Sequence, residues 1–557
     1  MRGQRLTRRG LLLGAAAFGA AIAPARLLAA RSRALLEGLE VTAGGAAPFA
    51  GDRALLATLS PAGIRGRARA TVRFRLTRAA HVELVALDRN APGESTLAAE
   101  TTPATPGATV VSAQTRFFRA GTHKLVWEPA ASLAPGTYTL RLTTTDLLGV
   151  KTVHGAASPA HPNLLRAPVV RVLGIDAALA RRSYASGEAA TVVVAADAAA
   201  LTMQLFRSGT EPGPTYANDE LNGVAAGEPQ TIPWSANADR PSPITLPLPA
   251  ELPSGVYYVR LTSDDGRLGF APFVVRPAGP STRVAVVLPT NTWHAYNFYD
   301  ADGDGYGDSW YVSWQIKTID LTRPHLHRGV PYRYRSYDLS FLHWLARTGK
   351  QADFYSDDDL ESFADGAALR AAYDLVVFPG HEEYVTTHAY DVVEQYRNLG
   401  GNLMFLSANN FFRRVDPRSG RLTLVDLWRD LRRPEAALVG VQYRASDRGT
   451  HQHPFVVTDA GAASWAFAGT GLGAGSTFGL YGIEIDAATS ASPPGTTVLA
   501  EIPDALGPGL TAQMTYYETP AGARVFAAGV LNFGGEMLLW PESTQLVENV
   551  WAQLAQP

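Results

Sequence analysis

The densest chemistry in the chain lies at Gly380-His381-Glu382-Glu383-Tyr384, where an imidazole, two carboxylates and a phenol stand in consecutive positions. These residues follow directly on the apolar run Leu375-Val376-Val377-Phe378, so they form the turn at a strand's carboxyl end. No His stands four residues after His381, which excludes the helical zinc motif, and the chain has no Gly-x-Ser-x-Gly nucleophile elbow. What remains is general acid/base chemistry, with His381, Glu382 and Glu383 handling protons, or hard-metal binding. The competing structural reading is a helix start whose two glutamates favour the helix dipole. A second turn, Ser407-Ala408-Asn409-Asn410, follows the apolar run Leu403-Met404-Phe405-Leu406. Its Asn409 can donate to a carbonyl oxygen or orient a ligand, or simply close the turn. A third segment runs Asp300-Ala301-Asp302-Gly303-Asp304-Gly305-Tyr306-Gly307-Asp308. Asp300, Asp302, Asp304 and Asp308 occupy positions 1, 3, 5 and 9 of a calcium loop, with Gly305 at 6 and the Tyr306 carbonyl at 7. Position 12 is Tyr311 rather than a bidentate Glu, so the loop is not a full EF-hand. Calcium is the expected ion, against the alternative of a solvated Asp-Gly turn.

The elements that must position these turns are legible as a change of pattern near Arg276-Pro277-Ala278-Gly279-Pro280. Beyond it, Val284–Leu288, Leu375–Phe378 and Leu403–Leu406 are continuous apolar runs, as strands covered on both faces should be. Between them lie helical patterns at 339–348, stopped by Gly349, and at 388–399, followed by Gly400-Gly401. Strand alternating with helix predicts a doubly wound parallel sheet over 283–557, with its chemistry in the loops beyond the strands' carboxyl ends. All three candidate segments are in or next to such loops.

Before that point the pattern is short period-two runs cut by Gly and Pro, which predicts β-sandwiches at 40–160 and 166–278. Leu133-Ala134-Pro135-Gly136-Thr137-Tyr138-Thr139-Leu140-Arg141-Leu142-Thr143 is echoed by Leu252-Pro253-Ser254-Gly255-Val256-Tyr257-Tyr258-Val259-Arg260-Leu261-Thr262. The copies start 119 residues apart, one sandwich length, so the two modules read as tandem immunoglobulin-like sandwiches. They serve either as spacers and packing partners or as carbohydrate- or wall-binding modules.

Residues 1–30 read as a leader: Arg8-Arg9 precedes Leu11-Leu12-Leu13 and an Ala-rich run. The paired arginines predict twin-arginine export to the periplasm, cell wall or medium, a route that carries folded cargo. The apolar run is shorter than a membrane span, and no later segment is long enough to be one. Cysteine is absent, which rules out disulfides, thiolate metal sites and cysteine nucleophiles. A formal net charge of −2 without charge blocks gives no reason to expect nucleic acid as partner.

Several segments, taken in order, carry a family resemblance. Tyr337-Asp338, Phe341-Leu342, Trp344-Leu345, Asp357-Asp358-Asp359-Leu360, Phe378-Pro379-Gly380-His381-Glu382-Glu383-Tyr384 and Gly400-Gly401-Asn402-Leu403-Met404-Phe405-Leu406-Ser407-Ala408-Asn409 resemble the C-terminal part of the N,N-dimethylformamidase large (beta) subunit. The strand-exit turn is similar in placement to that of class I glutamine amidotransferase-like folds, whose nucleophile is a cysteine this chain lacks. The resemblance covers roughly 285–557 and implies a hydrolase acting on a small amide through a mononuclear ferric ion held by two tyrosinates and a glutamate. Tyr384 is the best-placed ligand by this resemblance. Tyr337 is the second phenolate, with Tyr296 as alternative. Glu484 is the carboxylate, with Glu518 as alternative. The family works in the cytoplasm with a small partner subunit, so a small second chain or a second copy of this one is the implied partner, and the leader is a departure. The competing function is a non-catalytic exported surface- or carbohydrate-binding protein with a structural calcium loop.

Overall fold

The computed structural model describes residues 34–43, 55–88, 109–157, 165–213, 215–301, 308–311, 316–326, 328–447 and 451–556. The expected leader at 1–30 lies outside them. Among the described residues no helix is long and apolar enough to cross a membrane.

The N-terminal half is built of antiparallel sheets packed face to face. In the first module, the sheet of Leu36–Ala43, Ala70–Leu76 and Gly121–Trp127 faces a second sheet containing Ala80–Asp88, Gly136–Asp146 and Val169–Val172. Alternate residues of both meet in one core: Val72, Phe74 and Trp127 from one, Leu84, Tyr138, Leu140 and Leu142 from the other. The next module repeats this, with Val192 and Val194 against Tyr257, Val259 and Leu261. The sequence echo has a structural counterpart. The Tyr138 hydroxyl donates to the Ala134 carbonyl at 2.8 Å, and the Tyr257 hydroxyl to the Pro253 carbonyl at 2.9 Å, the same corner in both copies.

The C-terminal half carries a nine-stranded sheet with helices on it. Its elements include β1 (Val284–Leu288), α1 (Thr290–Ala295), α2 (Leu339–Thr348), β2 (Asp353–Ser356), β3 (Leu375–Phe378), α3 (Thr387–Asn398), β4 (Asn402–Phe405), β5 (Glu484–Ala487) and β6 (Arg524–Ala527). Strands run parallel in the order β2-β1-β3-β4-β6. Four antiparallel strands, beginning with Ala512–Glu518 against β6, extend the sheet. The sequence pattern predicts three of the parallel strands, β1, β3 and β4, and does not reveal the antiparallel extension, whose strands are only partly buried and carry no continuous apolar run.

Alternation along the parallel strands divides them between two cores. Val284, Val286, Leu288, Val377 and Met404 enter one, while Ala285, Val287, Val376, Phe378 and Phe405 enter the other. That is why these runs are apolar throughout. Helix α2 ends at Gly349, which takes φ 66° and lets the chain turn back. The first core also takes in Phe206, Val256, Tyr258, Phe270 and Val274, the outer face of the second sandwich. The second sandwich is therefore a packing partner of the α/β sheet, and burying each of these side chains is worth roughly 1.5–3 kcal/mol.

Candidate active site

β1, β3 and β4 are adjacent and parallel, so their carboxyl ends open on one edge. On that edge α1 brings Tyr296 at its C-terminus, β3 leads to His381–Tyr384, and β4 leads to Asn409. Glu484 and Asp486 come from β5, which pairs outside the main sheet. Being two apart on one strand they share a face, and both turn to the β4 exit. Asn409 sits at φ 55°, a left-handed conformation that Asn tolerates better than most residues. That geometry lets its backbone N–H donate to both Asp486 carboxylate oxygens, at 3.0 and 2.9 Å, while its Nδ2 donates to Glu484 Oε2 at 3.0 Å.

The centre is wholly buried. The Tyr296 hydroxyl donates to Glu383 Oε2 at 2.6 Å and lies 3.0 Å from His381 Nε2. Tyr384 also hydrogen-bonds Glu383, and its ring meets that of Tyr296 at 6.3 Å. His381 Nδ1 donates to the Ala408 carbonyl at 3.0 Å, which leaves Nε2 facing Glu383 at 3.2 Å and Glu484 at 3.8 Å. Burial opposes a charge on His381, but Glu484 and Glu383 outweigh it and raise its pKa to about 9. Glu484 is pushed up to about 7, mainly by burial, with His381 opposing and Glu383 adding to the rise. Burial and the Glu383 charge hold the Tyr296 and Tyr384 phenols well above their ordinary value. Tyr337 is buried and raised too, by burial first, and it feels the charges of Arg333 and Glu484.

Glu382 points away from this centre. Neither of its buried carboxylate oxygens receives a hydrogen bond from a donor, and the group facing it is the carboxyl of Asp357 at the β2 exit. Burial pushes both up, and the Asp357 charge raises Glu382 further. Asp357 in turn accepts from the Thr290 hydroxyl at 2.9 Å and from the Asn291 N–H at 2.7 Å, fixing α1. Beneath lies Asp338, raised to about 7 by burial, with the Trp293 indole 3.3 Å away. A Cβ on Gly380 would stand 2.2 Å from Asp338 Oδ1 and 2.9 Å from Pro289 Cγ, so only glycine fits.

The dipole reading of the two glutamates does not hold. Helix α3 begins at Thr387, capped by Thr386, after an intervening strand pair at Tyr384–Val385. Glu518 stands apart, exposed and accepting from Tyr516 at 2.6 Å. Of the acidic loop, Asp302, Asp304 and Tyr306 lie outside the described residues. Asp308 accepts from the Ala301 N–H at 2.9 Å and lies 3.7 Å from Arg323, and the Asp300 carbonyl accepts from Arg171 at 3.2 Å. Sequence reasoning gave Asp357 and Asp486 no role. Asp357 had the signal of position, directly after β2 on the same edge, whereas Asp486 lies within β5, outside the sheet, and had none.

The family described as N,N-dimethylformamidase beta subunit-like, C-terminal matches residues 241–545. Curated relatives include the N,N-dimethylformamidase beta subunit of an Alcaligenes species, 31% identical over 122 residues, and that of Paracoccus aminophilus, 31% identical over 121. Each match spans 22% of this chain, and 16% and 15% of the relatives' own lengths, so the match covers less than a fifth of each relative. Among solved structures, an alpha-2-macroglobulin of Salmonella is similar over 43% of this chain and 16% of that one, at 10% identity and a TM-score of 0.23, too low to argue from. With more than half of its 557 residues matched, the chain belongs to the N,N-dimethylformamidase beta subunit-like, C-terminal family.

Proposed function

We propose that this chain is a hydrolase that cleaves a small amide or related C–N bond at the buried cluster of Tyr296, His381, Glu383, Asn409 and Glu484, with a ferric ion as resident cofactor. The observation that carries the reading is two phenols converging on one carboxylate, Tyr296 at 2.6 Å and Tyr384 beside it, with an imidazole between that carboxylate and a second one. The amide class is supported by the names of the two curated relatives.

The donor set fits such an ion. Phenolate and carboxylate are hard ligands, and no thiol is required. Without a cation the phenols stay neutral and donate hydrogen bonds to Glu383; loss of two phenolic protons turns the cluster into a trianionic oxygen set. Among the described residues no group of three or more His, Cys, Asp or Glu is disposed to hold a metal, so the site depends on its phenols. Tyr296 and Glu383 would hold the ion, with Tyr384 or Tyr337 as second phenolate. This exchanges the roles that the sequence patterns assign to Glu383 and Glu484.

Bound there, ferric iron supplies Lewis-acid polarisation of the amide carbonyl and acidifies a water. Glu484, with a pKa of about 7 and fixed by Asn409, takes the proton of the attacking water. His381, its Nδ1 committed to Ala408, gives its Nε2 proton to the leaving nitrogen. The hydroxyl ends on the carbonyl carbon, the C–N bond breaks, and Glu484, 3.8 Å away, returns a proton to His381.

Elemental analysis of the full chain tests this. We expect about one iron per chain, a visible tyrosinate charge-transfer band, and release of free amine from small amides. A colourless protein without iron that releases no amine would leave the non-catalytic binding protein as the better reading.

A further inference from the structure

We propose that Arg333 is the specificity residue of this site, and that the substrate it selects is an amide carrying a carboxylate. The inference rests on the amide-hydrolase reading above and adds the class of substrate.

Arg333 adopts φ 57°, a left-handed conformation that is costly for a side chain of its size. It caps the helical turn Tyr334–Tyr337, the Tyr337 N–H bonds the Arg333 carbonyl at 3.0 Å, and the Tyr337 phenol feels the Arg333 charge. Tyr337 is the residue of that turn that feels Glu484 in the centre. The guanidinium therefore stands on the side of the site.

Its surroundings are aromatic. It lies over the Tyr332 ring at 5.7 Å, and its hydrogen bond is to the Tyr332 hydroxyl at 3.4 Å. Burial works against its charge, and the phenols of Tyr337, Tyr332 and Tyr311 more than offset that. Among the described residues no carboxylate is close enough to form an ion pair with it; Glu536, which feels its charge from farther off, is bonded by Asn532 instead. Its neighbours are different: Arg328 pairs with Asp219 and Glu220, and Arg335 bonds Asn218. A half-buried guanidinium without an acid partner is costly unless something else supplies one.

The rings connect it to the chemistry. Tyr311 is 39% exposed at the surface, and Tyr296 packs on it at 5.2 Å and on Tyr332 at 6.3 Å, with Phe298 5.4 Å from Tyr332. From outside inward the order is Arg333 and Tyr311, then Tyr332, then Tyr296 and Glu383. Aromatic walls of this kind also suit a methylated ammonium. The positive charge of Arg333 on the same rings argues against that class and for an anion, which a guanidinium grips through two parallel N–H bonds. A short apolar stem between carboxylate and amide then lies along the rings.

The test compares N-acetylglycine with N-isobutylacetamide, which keeps the single amide and replaces the carboxylate oxygens by methyl groups, in binding to the full chain by calorimetry and in hydrolysis by the iron-loaded chain. We expect the native chain to prefer the carboxylate by about 10- to 100-fold, the worth of a charge-assisted hydrogen bond. Arg333→Gln should bring the ratio near unity, and Arg333→Lys should restore part of it; melting curves verify that both variants fold. Carboxylate binding that depends on Arg333 without any hydrolysis would sink the hydrolase reading and leave Arg333 as the carboxylate-binding residue of a non-catalytic site. Amide hydrolysis with a native ratio near unity would overturn this inference and spare the hydrolase.

Discussion

Tyr296 and Glu383 are separated by 87 residues, yet the hydroxyl of one donates to the carboxylate of the other at 2.6 Å inside a buried centre. The contact joins the exits of β1 and β3. It also identifies the bond a cation has to replace, because Tyr296 cannot both keep its proton and bind a metal.

Tyr296→Phe removes that oxygen and keeps the ring. The expected outcome is loss of iron and of the visible band, with a change of about 1 kcal/mol in unfolding free energy. The same change at Tyr384 and at Tyr337, made separately, identifies the second phenolate: one variant loses the band and the other retains it. If Tyr296→Phe keeps a full complement of iron, the phenolate site is wrong.

Two buried groups should tilt stability in opposite directions between about pH 4 and pH 8. Burial lowers His154 in the first sandwich to about 4, where it lies 2.5 Å from the Thr144 hydroxyl. The stability gained by keeping it neutral is present above its ordinary range near 6.5 and is lost as pH falls through about 4. Asp486 is raised to about 8 by burial, against its bond from Asn409 and with Glu435 and Glu484 adding to the rise. Its contribution is present below the ordinary carboxylate range and is lost as pH rises through about 8. Each effect is on the order of 1 kcal/mol per pKa unit. Urea midpoints across pH should lose the rise between about pH 4 and 6.5 in His154→Gln and lose the fall between about pH 4 and 8 in Asp486→Asn; unchanged profiles would disprove the assignments.

Gly380→Ala should destabilise the chain by about 1–3 kcal/mol, the usual cost of overpacking. The added carbon meets the rigid ring of Pro289 as well as Asp338, so the strand exit must shift. Iron content should fall with it, because the shift carries His381 and Glu383. Wild-type stability and metal content in this variant would show that the exit is looser than its packing implies.

The second sandwich and the α/β sheet should unfold together. Val256→Thr with Tyr258→Thr gives the second sandwich the polar outer face of the first, where Thr137 and Thr139 stand at the equivalent positions. We expect exposure of the C-terminal half to protease and a loss of several kcal/mol, at roughly 1.5–3 kcal/mol per side chain. A chain of residues 283–557 alone should aggregate for the same reason. Two independent unfolding transitions in the unaltered protein would contradict the shared core.

Local pattern alone determined the two sandwiches, the parallel strands at 284–288 and 375–378, and the helix stopped by Gly349, because burial on one face or two prints its period on the chain. The same rule singled out the His381 turn and Asn409, since strand carboxyl ends gather the chemistry of such sheets. Val256 and Tyr258, against Thr137 and Thr139, even carried the sign of which sandwich packs on the sheet. The partners of that turn left no mark in the local pattern; only the family resemblance pointed to Glu484, and to Tyr296 as an alternative to Tyr337. Tyr296 and Glu484 reach Glu383 and His381 only through strand order and through β5, which pairs outside the sheet, and neither leaves a periodic mark. Whether a carboxylate faces a phenol, like Glu383, an amide, like Glu484, or another acid, like Glu382, is decided by which loops the tertiary structure closes against it, and that choice sets its charge and its chemistry.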